Sequence, residues 1–483
     1  MSQRPFLMCS SNVIYGRKVD LIAMLDTTVI HEFQQIVGAN HALQDEALTA
    51  TYTTDWTGRF RGKSPMVLRP ADTSQVSELV KVALRAGLSL VPQGGNTGLV
   101  GGSVPLHEEI VISTLRMDHC EPVDALAQQV TVGAGVTLAN AQAHVSPLNL
   151  DIGVDLAARD SCTIGGMIAT NAGGINVVRY GPMRDQLLGI EAVLSDGSII
   201  SHLEGLEKDN TGYNFPGLLA GSEGTLAIIT KARLRLHPHL SERCSAMIAF
   251  KTVDDAVVAT AQLRHTLPTL QAVEVIFSEA MSLVSDHIGT SVPVGLGSQA
   301  WLIVEVAATT DPTDELADAI DNLGSLAVDV AVGLDTATRQ GLWQYREKIT
   351  EAIATQGTPH KLDVTLGASR LSEFVTEVPS LISAVDGQAT AVMFGHLGDG
   401  NVHVNILGAD GNEPDEAVDD AVLNYVAQLG GSISAEHGIG SAKREFLHLN
   451  RSGAELAAFR AIKRGLDPQG VLNPNVLLPP EYP

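Results

Sequence analysis

Residues 91–103 read Val-Pro-Gln-Gly-Gly-Asn-Thr-Gly-Leu-Val-Gly-Gly-Ser and place five glycines within nine positions. The stretch follows the short apolar run Leu88-Ser89-Leu90, which predicts a strand that leads into a loop. Glycine leaves backbone N–H groups unobstructed, as a loop that surrounds a pyrophosphate requires. No Gly-Lys-Ser/Thr sequence follows, which excludes a nucleoside-triphosphate P-loop. For this loop alone, the alternative is a glycine-rich surface turn without a ligand.

Two further clusters of small residues lie downstream. Residues 161–174 read Ser-Cys-Thr-Ile-Gly-Gly-Met-Ile-Ala-Thr-Asn-Ala-Gly-Gly, and residues 221–226 read Gly-Ser-Glu-Gly-Thr-Leu before a predicted strand. Small side chains permit close approach of the backbone to a flat, extended ligand. Three such elements between residues 91 and 230 favour a large dinucleotide cofactor over a small anion.

Residues 133–138, Gly-Ala-Gly-Val-Thr-Leu, begin like a Rossmann fingerprint after a predicted strand. The third glycine of that fingerprint is replaced by Leu138, and the pattern alone is weak. We interpret the segment as an ordinary strand–turn–helix.

The composition excludes several classes of protein. The 483 residues are enough for two or three domains, and no stretch approaches twenty uninterrupted apolar residues, so we expect no transmembrane segment. The net charge of −24 makes nucleic acid an unsuitable partner and requires a local positive pocket for any anionic substrate. The four cysteines form no Cys-x-x-Cys pair, which favours a reducing, cytoplasmic location over a disulfide scaffold or an iron–sulfur cluster.

A histidine pair flanks a predicted turn within residues 390–406. Asp399-Gly400 lies between two apolar, β-prone runs, the strongest short-range signal for a two-residue hairpin turn. In that register His396 would face His403 with Cβ atoms about 5 Å apart, and Asn405 would project from the same face. Such a pair can hold a metal ion, and Glu436-His437 could add a carboxylate and a third imidazole. The alternative is a polar hairpin with two surface histidines.

The glycine clusters and the histidine segments together resemble the FAD-linked oxidase and dehydrogenase superfamily of the vanillyl-alcohol oxidase type. The resemblance runs from about residue 61 to 477 and is to the D-2-hydroxyacid dehydrogenase branch, which includes D-2-hydroxyglutarate dehydrogenase, D-lactate dehydrogenase and the glycolate oxidase catalytic subunit. It implies an α+β protein with a PCMH-type FAD-binding domain of two α+β subdomains and a cap domain whose antiparallel sheet is covered by helices.

From this organisation we expect four segments. Residues 1–25 form a disordered tail, 26–240 the FAD-binding domain, 241–465 the substrate or cap domain with the metal site, and 466–483 a return to the FAD-binding domain. The resemblance implies FAD contacts at Pro92, Gly94, Gly95, Asn96, Thr97, Gly98, Leu99, Ser161, Gly165, Gly166, Asn171, Gly174, Glu223, Gly224, Ile228 and Asn473.

Two departures from the family pattern affect the FAD prediction. Relatives often carry a lysine after Asn-Pro-Gly near the C-terminus, whereas this chain has Asn473-Pro474-Asn475-Val476, which weakens the case for a charged FAD contact there. Relatives with covalent flavin use a histidine in the cofactor loops. Neither loop has one here, and we expect non-covalent FAD.

The resemblance implies that His396, His403 and Glu436 are metal ligands and that His437 is the catalytic base. Two nitrogens and one oxygen suit zinc with open positions, with manganese or iron as alternatives. Imidazole suits a general base near neutral pH, and the alternative role of His437 is to orient Glu436.

The substrate contacts implied by the resemblance are Arg346, Thr350 and Lys361, together with Asn405 and His437 near the reacting end. Residues 343–350 predict a helix that places Arg346 and Thr350 on one face, and Lys361 lies in a predicted strand. Arginine recognises carboxylates in a bidentate manner and lysine adds a point charge. From the residues alone, Arg346 would be a solvated helix charge.

The function we expect is FAD- and metal-dependent oxidation of a D-2-hydroxy acid to the 2-oxo acid, with a dicarboxylic substrate such as D-2-hydroxyglutarate or D-malate. The alternatives are D-lactate or glycolate oxidation, a zinc hydrolase with structural glycine loops, and a non-catalytic subunit. A separate electron acceptor is expected, either an electron-transfer flavoprotein or a quinone-linked partner, and a homodimer is left open.

Overall fold

The computed structural model describes residues 25–480, so the tail predicted at residues 1–25 lies outside the described residues except for Leu25. Three β-sheets with helices packed on them make up this part of the chain. The predicted α+β class is confirmed, since parallel and antiparallel strand pairs occur beside seventeen α-helices in the described range. None of these helices is long and apolar enough to cross a membrane.

The first sheet contains the strand that leads into the first glycine loop. Its order is β1-β2-β4-β3, with β2, β4 and β3 parallel. The strands are β1 (Ala42–Leu43), β2 (Val67–Leu68), β3 (Leu90–Gln93) and β4 (Ile110–Ser113), and the helices are α1 (Thr27–Val37), α2 (Glu46–Thr53) and α3 (Thr73–Ala86). Helix α3 begins after Asp72, which caps it by accepting from the Gln75 N–H.

The second sheet supports the other two glycine clusters. Its order is β5-β9-β7-β8, and β6 pairs with β9. The strands are β5 (Gln129–Gly133), β6 (Leu150–Ile152), β7 (Leu187–Val193), β8 (Ile199–His202) and β9 (Ile228–Pro238). The helices are α4 (Leu138–Val145), α5 (Ile164–Thr170), α6 (Val177–Tyr180), α7 (Met183–Gln186) and α8 (Phe215–Leu219).

The Rossmann-like segment is the predicted strand–turn–helix, between β5 and α4. A Cβ at Gly133 would overlap the Met117 carbonyl and one at Gly135 the Thr114 carbonyl. These glycines therefore allow close packing of two backbone segments.

The third sheet has seven antiparallel strands in the order β13-β10-β12-β11-β15-β16-β14. The strands are β10 (Glu242–Phe250), β11 (Leu270–Phe277), β12 (Ala300–Ala308), β13 (Ala327–Gly333), β14 (His360–Thr365), β15 (Thr390–His396) and β16 (Asn401–Leu407). The later helices are α9 (Val253–Thr266), α10 (Ser278–Ile288), α11 (Thr313–Asp321), α12 (Thr336–Glu347), α13 (Ile349–Ala354), α14 (Ala368–Val385), α15 (Ala417–Gln428), α16 (Leu447–Asn450) and α17 (Gly453–Leu466).

Alternation along these strands separates an apolar face from a face with polar side chains. Val364, Val402, Val404 and Val273 point into a core that also contains residues of α9, α14 and α15. The intervening residues of β14, β16, β15 and β11 lie on the other face, since successive side chains of a strand alternate. This second face carries the predicted metal and substrate residues.

Residues 472–473 lie beside the first sheet, within the segment predicted to return to the FAD-binding domain. Leu472 forms a parallel bridge to Leu90, and the Asn473 N–H donates to the Leu90 carbonyl over 2.8 Å.

The predicted two-residue hairpin turn is wrong. His403 pairs with Phe394, and the loop between β15 and β16 spans the four residues 397–400. Neighbouring strands cause the shift, because the Gly398 N–H donates to the Val273 carbonyl and the Gly400 carbonyl accepts from Leu366. The strand register differs from the predicted one by two residues. Because side chains of a strand alternate with a period of two, His396 and His403 still lie on one face of the sheet.

Two other predictions of elements are corrected. The strand predicted at residues 88–90 begins at Leu90 and continues to Gln93, because it pairs along its length with β4, so the loop begins at Gly94. The helix predicted at residues 343–350 is interrupted at Lys348, whose ψ of −3° and N–H bond to Gln344 end α12. Arg346 and Thr350 therefore do not lie on one regular helix.

Candidate active site

A cleft that is open to solvent lies between the glycine clusters and the turn that carries Glu436 and His437. Its walls include the loop at residues 94–100, the segment around α5 and the turn that begins at Gly224, and its far end is formed by Glu436 and His437. The pyrophosphate loop predicted from sequence and the predicted catalytic base therefore share one cavity.

The first loop and the second glycine segment are in direct contact. A Cβ at Gly94 would overlap the Thr163 hydroxyl, and one at Gly95 would overlap the Ser161 carbonyl. The backbone N–H groups of residues 94–99 donate to no acceptor in the described part of the chain. A run of free N–H groups lining a cavity is an anion-binding arrangement, which fits the pyrophosphate of FAD.

Most of the predicted FAD residues line this cleft: Pro92, Gly94, Gly95, Asn96, Thr97, Gly98, Leu99, Gly165, Gly166, Glu223, Gly224 and Ile228. The other four lie beside it. Ser161 contacts the first loop through its carbonyl, and the Asn171 side chain accepts from the Arg184 N–H. Gly174 donates to Glu436, and the buried Asn473 amide donates to the carbonyls of Gly102 and Glu223.

The predicted metal ligands converge at the far end of the cleft. His396 Nε2 lies 3.4 Å from His403 Nε2, and each of these atoms lies 3.8 Å from Glu436 Oε1. A triangle with these sides has a point about 2.1 Å from all three corners, which matches zinc–nitrogen and zinc–oxygen distances. The donor set thus fits a divalent ion. His437 Nε2 is also 3.8 Å from Glu436 Oε1.

Two buried carboxylates that sequence reasoning missed orient the histidines. Glu274 Oε1 is 2.7 Å from His396 Nδ1, and Asp363 Oδ1 is 3.4 Å from His403 Nδ1. A carboxylate on Nδ1 leaves Nε2 free to bind a metal. Asp363 has ligand-type atoms within 4.8 Å of His403, Glu436 and His437, but its position behind His403 Nδ1 makes it an orienting group. For Glu274, the available sequence signal was a lone acid within the apolar strand β11.

Glu436 is held by contacts from both sides of the cleft. Its Oε2 accepts from the Gly174 N–H over 2.8 Å, which leaves Oε1 facing the three imidazoles. Asp363 Oδ2 accepts from the backbone N–H groups of Ala435, Glu436 and His437. Glu223 accepts from Ile439 and Gly440 over 2.7 Å each. Five hydrogen bonds from backbone N–H groups to two buried carboxylates thus fix the turn at residues 435–440.

The charged groups in this cluster shift one another's pKa values. Burial alone would lower the pKa of His396, but the Glu274 and Glu436 carboxylates raise it to about 10. Burial would likewise raise the pKa of Glu436, but His396 and His403 lower it to about 2. Burial raises the pKa of Glu223 to about 7. Glu436 is therefore ionised at neutral pH, as a carboxylate ligand must be, and a metal ion at this site would displace the proton that the carboxylates hold on His396.

His437 differs from the two strand histidines in its environment. Burial lowers its pKa, so the imidazole is neutral at neutral pH and able to accept a proton. Its Nδ1 is buried without a hydrogen-bond partner in the described residues and lies 3.9 Å from Asp363 Oδ2. Its ring stacks on that of His403 at an interplanar angle of 14°.

The predicted substrate residues differ in their partners and in their exposure to solvent. Arg346 is paired with Glu274 over 2.8 Å, and its guanidinium lies over the Phe394 ring. Lys361 and Asn405 are cross-strand partners on the face that carries His403. Asn405 donates to the Val392 carbonyl over 3.3 Å, and Thr350 is exposed in α13.

Comparison with known proteins identifies the family of the chain. Residues 240–477 match the family model for the C-terminal domain of FAD linked oxidases, and residues 64–202 match an FAD binding domain. The chain is 33% identical to a mitochondrial D-2-hydroxyglutarate dehydrogenase of Arabidopsis thaliana, covering 95% of this chain and 83% of the relative. It is 35% identical to a D-2-hydroxyglutarate dehydrogenase of Xanthomonas citri, covering 94% and 97%.

Solved structures with low sequence identity show the same fold. The p-cresol methylhydroxylase structure aligns with a TM-score of 0.76 at 15% identity and covers 94% of this chain and 98% of its own. The predicted vanillyl-alcohol-oxidase type of fold is confirmed. The chain belongs to the FAD-linked oxidase family, in its D-2-hydroxyacid dehydrogenase branch, and is an FAD-dependent oxidoreductase.

Proposed function

We propose that the protein oxidises a dicarboxylic D-2-hydroxy acid, such as D-2-hydroxyglutarate or D-malate, to the 2-oxo acid with FAD and a divalent metal ion. The observation that supports this most strongly is that the Nε2 atoms of His396, His403 and His437 face one oxygen of Glu436 at the wall of the FAD cleft. The names of the D-2-hydroxyglutarate dehydrogenase relatives support the substrate class.

The protein's residues account for the proton transfer. His437 is neutral because burial lowers its pKa, and its Nε2 side faces the cleft beside Glu436. It accepts the hydroxyl proton of the substrate. When bound, FAD supplies a hydride acceptor for the α-hydrogen. Replacement of His437 by Gln should lower kcat about 100-fold or more without loss of bound FAD, whereas equal loss of both would assign it a folding role.

A divalent ion, which we propose to be zinc, would be held by His396, His403 and Glu436. Such an ion would act as a Lewis acid toward the substrate hydroxyl. Glu274 and Asp363 keep the Nε2 atoms of the two histidines directed into the site. FAD is held without a covalent bond, since neither glycine loop contains histidine and burial raises the pKa of the nearby Cys162 thiol to about 11.

The second carboxylate of the substrate is recognised by Lys361, whose cross-strand neighbour is Asn405, and Arg346 and Thr350 remain proposed substrate contacts. Arg346 already neutralises Glu274, whereas no carboxylate of the described residues lies within ion-pair distance of Lys361 Nζ. An unpaired cation is what an additional carboxylate requires in a chain of net charge −24.

We also propose that a separate electron-transfer flavoprotein or quinone-linked protein reoxidises the flavin. The described cysteines, Cys120, Cys162 and Cys244, are free and lie in different elements, so they supply no second redox centre. Free thiols fit the reducing environment of the cytoplasm, which we propose as the location.

Turnover of D-2-hydroxyglutarate, D-malate, D-lactate and glycolate by the wild type and by Lys361→Ala tests the substrate assignment. We expect the wild type to prefer the two dicarboxylates and the variant to lose activity on these alone. A wild type that favours D-lactate, or a variant that loses activity equally on all four, would reject it.

A further inference from the structure

A small hairpin at residues 53–62, here called the Trp56 hairpin, projects from the FAD-binding side of the cleft. Thr54 bridges to Arg61, and the Gly62 N–H donates to the Thr53 carbonyl. The buried Asp55 accepts from the Phe60 N–H over 3.0 Å and from the Thr57 hydroxyl. These bonds close the hairpin and leave the neighbouring Trp56 side chain 62% exposed.

The cofactor loop positions this hairpin. The Asn96 side-chain amide donates to the carbonyls of Thr54, over 2.8 Å, and Thr51. Asn96 itself has a φ of +55°, a conformation that asparagine adopts more readily than most residues. The Phe60 ring lies so close to Gly101 that a Cβ there would come within 2.7 Å of it. The hairpin is therefore attached to both halves of the first glycine loop.

The other end of the hairpin reaches the third sheet. The indole of Trp56 lies over Lys361, with Nζ 4.8 Å from the ring centroid, and Arg59 lies 3.7 Å from Asp419. The ring covers Lys361, the proposed substrate-binding cation that has no carboxylate partner among the described residues. It shields the Lys361 ammonium from water on one side.

We propose that Trp56 is a specificity-determining residue, whose indole covers Lys361 so that the second carboxylate of a dicarboxylic substrate pairs with this lysine out of contact with bulk water. The inference rests on the proposed function. An ion pair exposed to water contributes little to binding, and the same pair in a lower-dielectric environment contributes more. Trp56 therefore strengthens binding of a dicarboxylate and leaves a monocarboxylate unaffected.

The test compares Trp56→Ala, Trp56→Phe and Lys361→Ala holoenzymes with the wild type. The control is Tyr213→Ala, an aromatic side chain that is 93% exposed and lies outside the proposed site. The measurements are kcat/KM for D-2-hydroxyglutarate and D-lactate, binding of 2-oxoglutarate and pyruvate by calorimetry, and FAD content. Calorimetry reports recognition independently of turnover.

For Trp56→Ala we expect a loss of about 10-fold on D-2-hydroxyglutarate, through KM, and a matching loss of 2-oxoglutarate affinity. D-lactate turnover and FAD content should stay within about twofold, and Trp56→Phe should retain part of the preference because a smaller ring remains. Equal losses on both substrates, or an unchanged ratio in Trp56→Ala, would overturn the proposal.

The outcomes separate this inference from the proposed function. If Lys361→Ala abolishes the dicarboxylate preference and Trp56→Ala does not, the role of Trp56 is wrong and the proposed function stands. If the wild type shows no dicarboxylate preference, or if Lys361→Ala leaves it unchanged, the substrate assignment itself fails and the role of Trp56 fails with it.

Discussion

At the scale of single residues, the site depends on acids that touch the histidines from behind. Glu274 is fully buried between His396 and Arg346, and Asp363 is fully buried behind His403. Burying a carboxylate is unfavourable unless it is paired and hydrogen-bonded, and both are. Glu274 thus fixes which imidazole nitrogen of His396 is available to a metal, whereas Asp363 faces His403 Nδ1 at 3.4 Å and holds the Glu436 turn through Oδ2.

Glu274→Gln should weaken metal binding about 10- to 100-fold, because the amide orients His396 less strongly than the carboxylate does. FAD content should not change. Metal affinity measured by competition with a chelator is the readout, and Glu305→Gln is the matched control, since Glu305 is a buried acid on the adjacent strand that pairs with Arg243. Equal weakening in both variants would assign Glu274 a general role in folding.

Lys361 gives the site a predictable response to pH. Burial lowers its pKa below the usual value of 10.5. As the pH rises through that lowered pKa, the ammonium loses its charge, so the KM for D-2-hydroxyglutarate should rise while that for D-lactate does not.

The measurement is the ratio of the two kcat/KM values at increasing pH in the alkaline range. Lys361→Arg is the control, because arginine stays protonated throughout, and its ratio should remain constant over the same interval. A wild-type ratio that does not change before the enzyme unfolds would show that this charge does not select the substrate.

At the scale of elements, local sequence signals are sufficient to locate helices. Features that depend on long-range contacts were not predicted correctly from the sequence. Helix α3 begins after the Asp72 cap and ends at the Gly87 cap, and α15 buries the evenly spaced Val418, Val422 and Val426, because caps and apolar spacing are local signals. The register of the hairpin β15–β16 was wrong because hydrogen bonds to Val273 and Leu366 widen its loop. Glu274 was missed because its partner His396 lies 122 residues away in sequence.

The contact between the two glycine segments can be tested at Gly95. A Cβ there would overlap the Ser161 carbonyl, so Gly95→Ala should displace the loop, release FAD and lower the melting temperature. Gly341→Ala in α12 is the matched control, since its Cβ meets open space and alanine favours a helix by about 0.5–1 kcal/mol. Full retention of FAD by Gly95→Ala would contradict the assignment of this loop.

At the scale of the whole molecule, the active site exists only where the cofactor domain meets the third sheet. Glu436 bonds to Gly174 of the second glycine segment, and Glu223 bonds to the turn at Ile439 and Gly440. All three bonds join positions more than 200 residues apart, and such pairings cannot be read from local sequence pattern. The family resemblance supplied the grouping of these segments, and the structure supplies the contacts that hold them together.

The central claim is that a metal ion held beside the flavin is needed for oxidation of the substrate. Anaerobic titration of the yellow holoenzyme with D-2-hydroxyglutarate, before and after metal removal by a chelator, measures this directly through bleaching of the flavin absorbance. We predict that the demetallated protein keeps its FAD but no longer bleaches, and that added Zn²⁺ restores bleaching. Bleaching at an unchanged rate in protein shown to be free of metal would contradict the account.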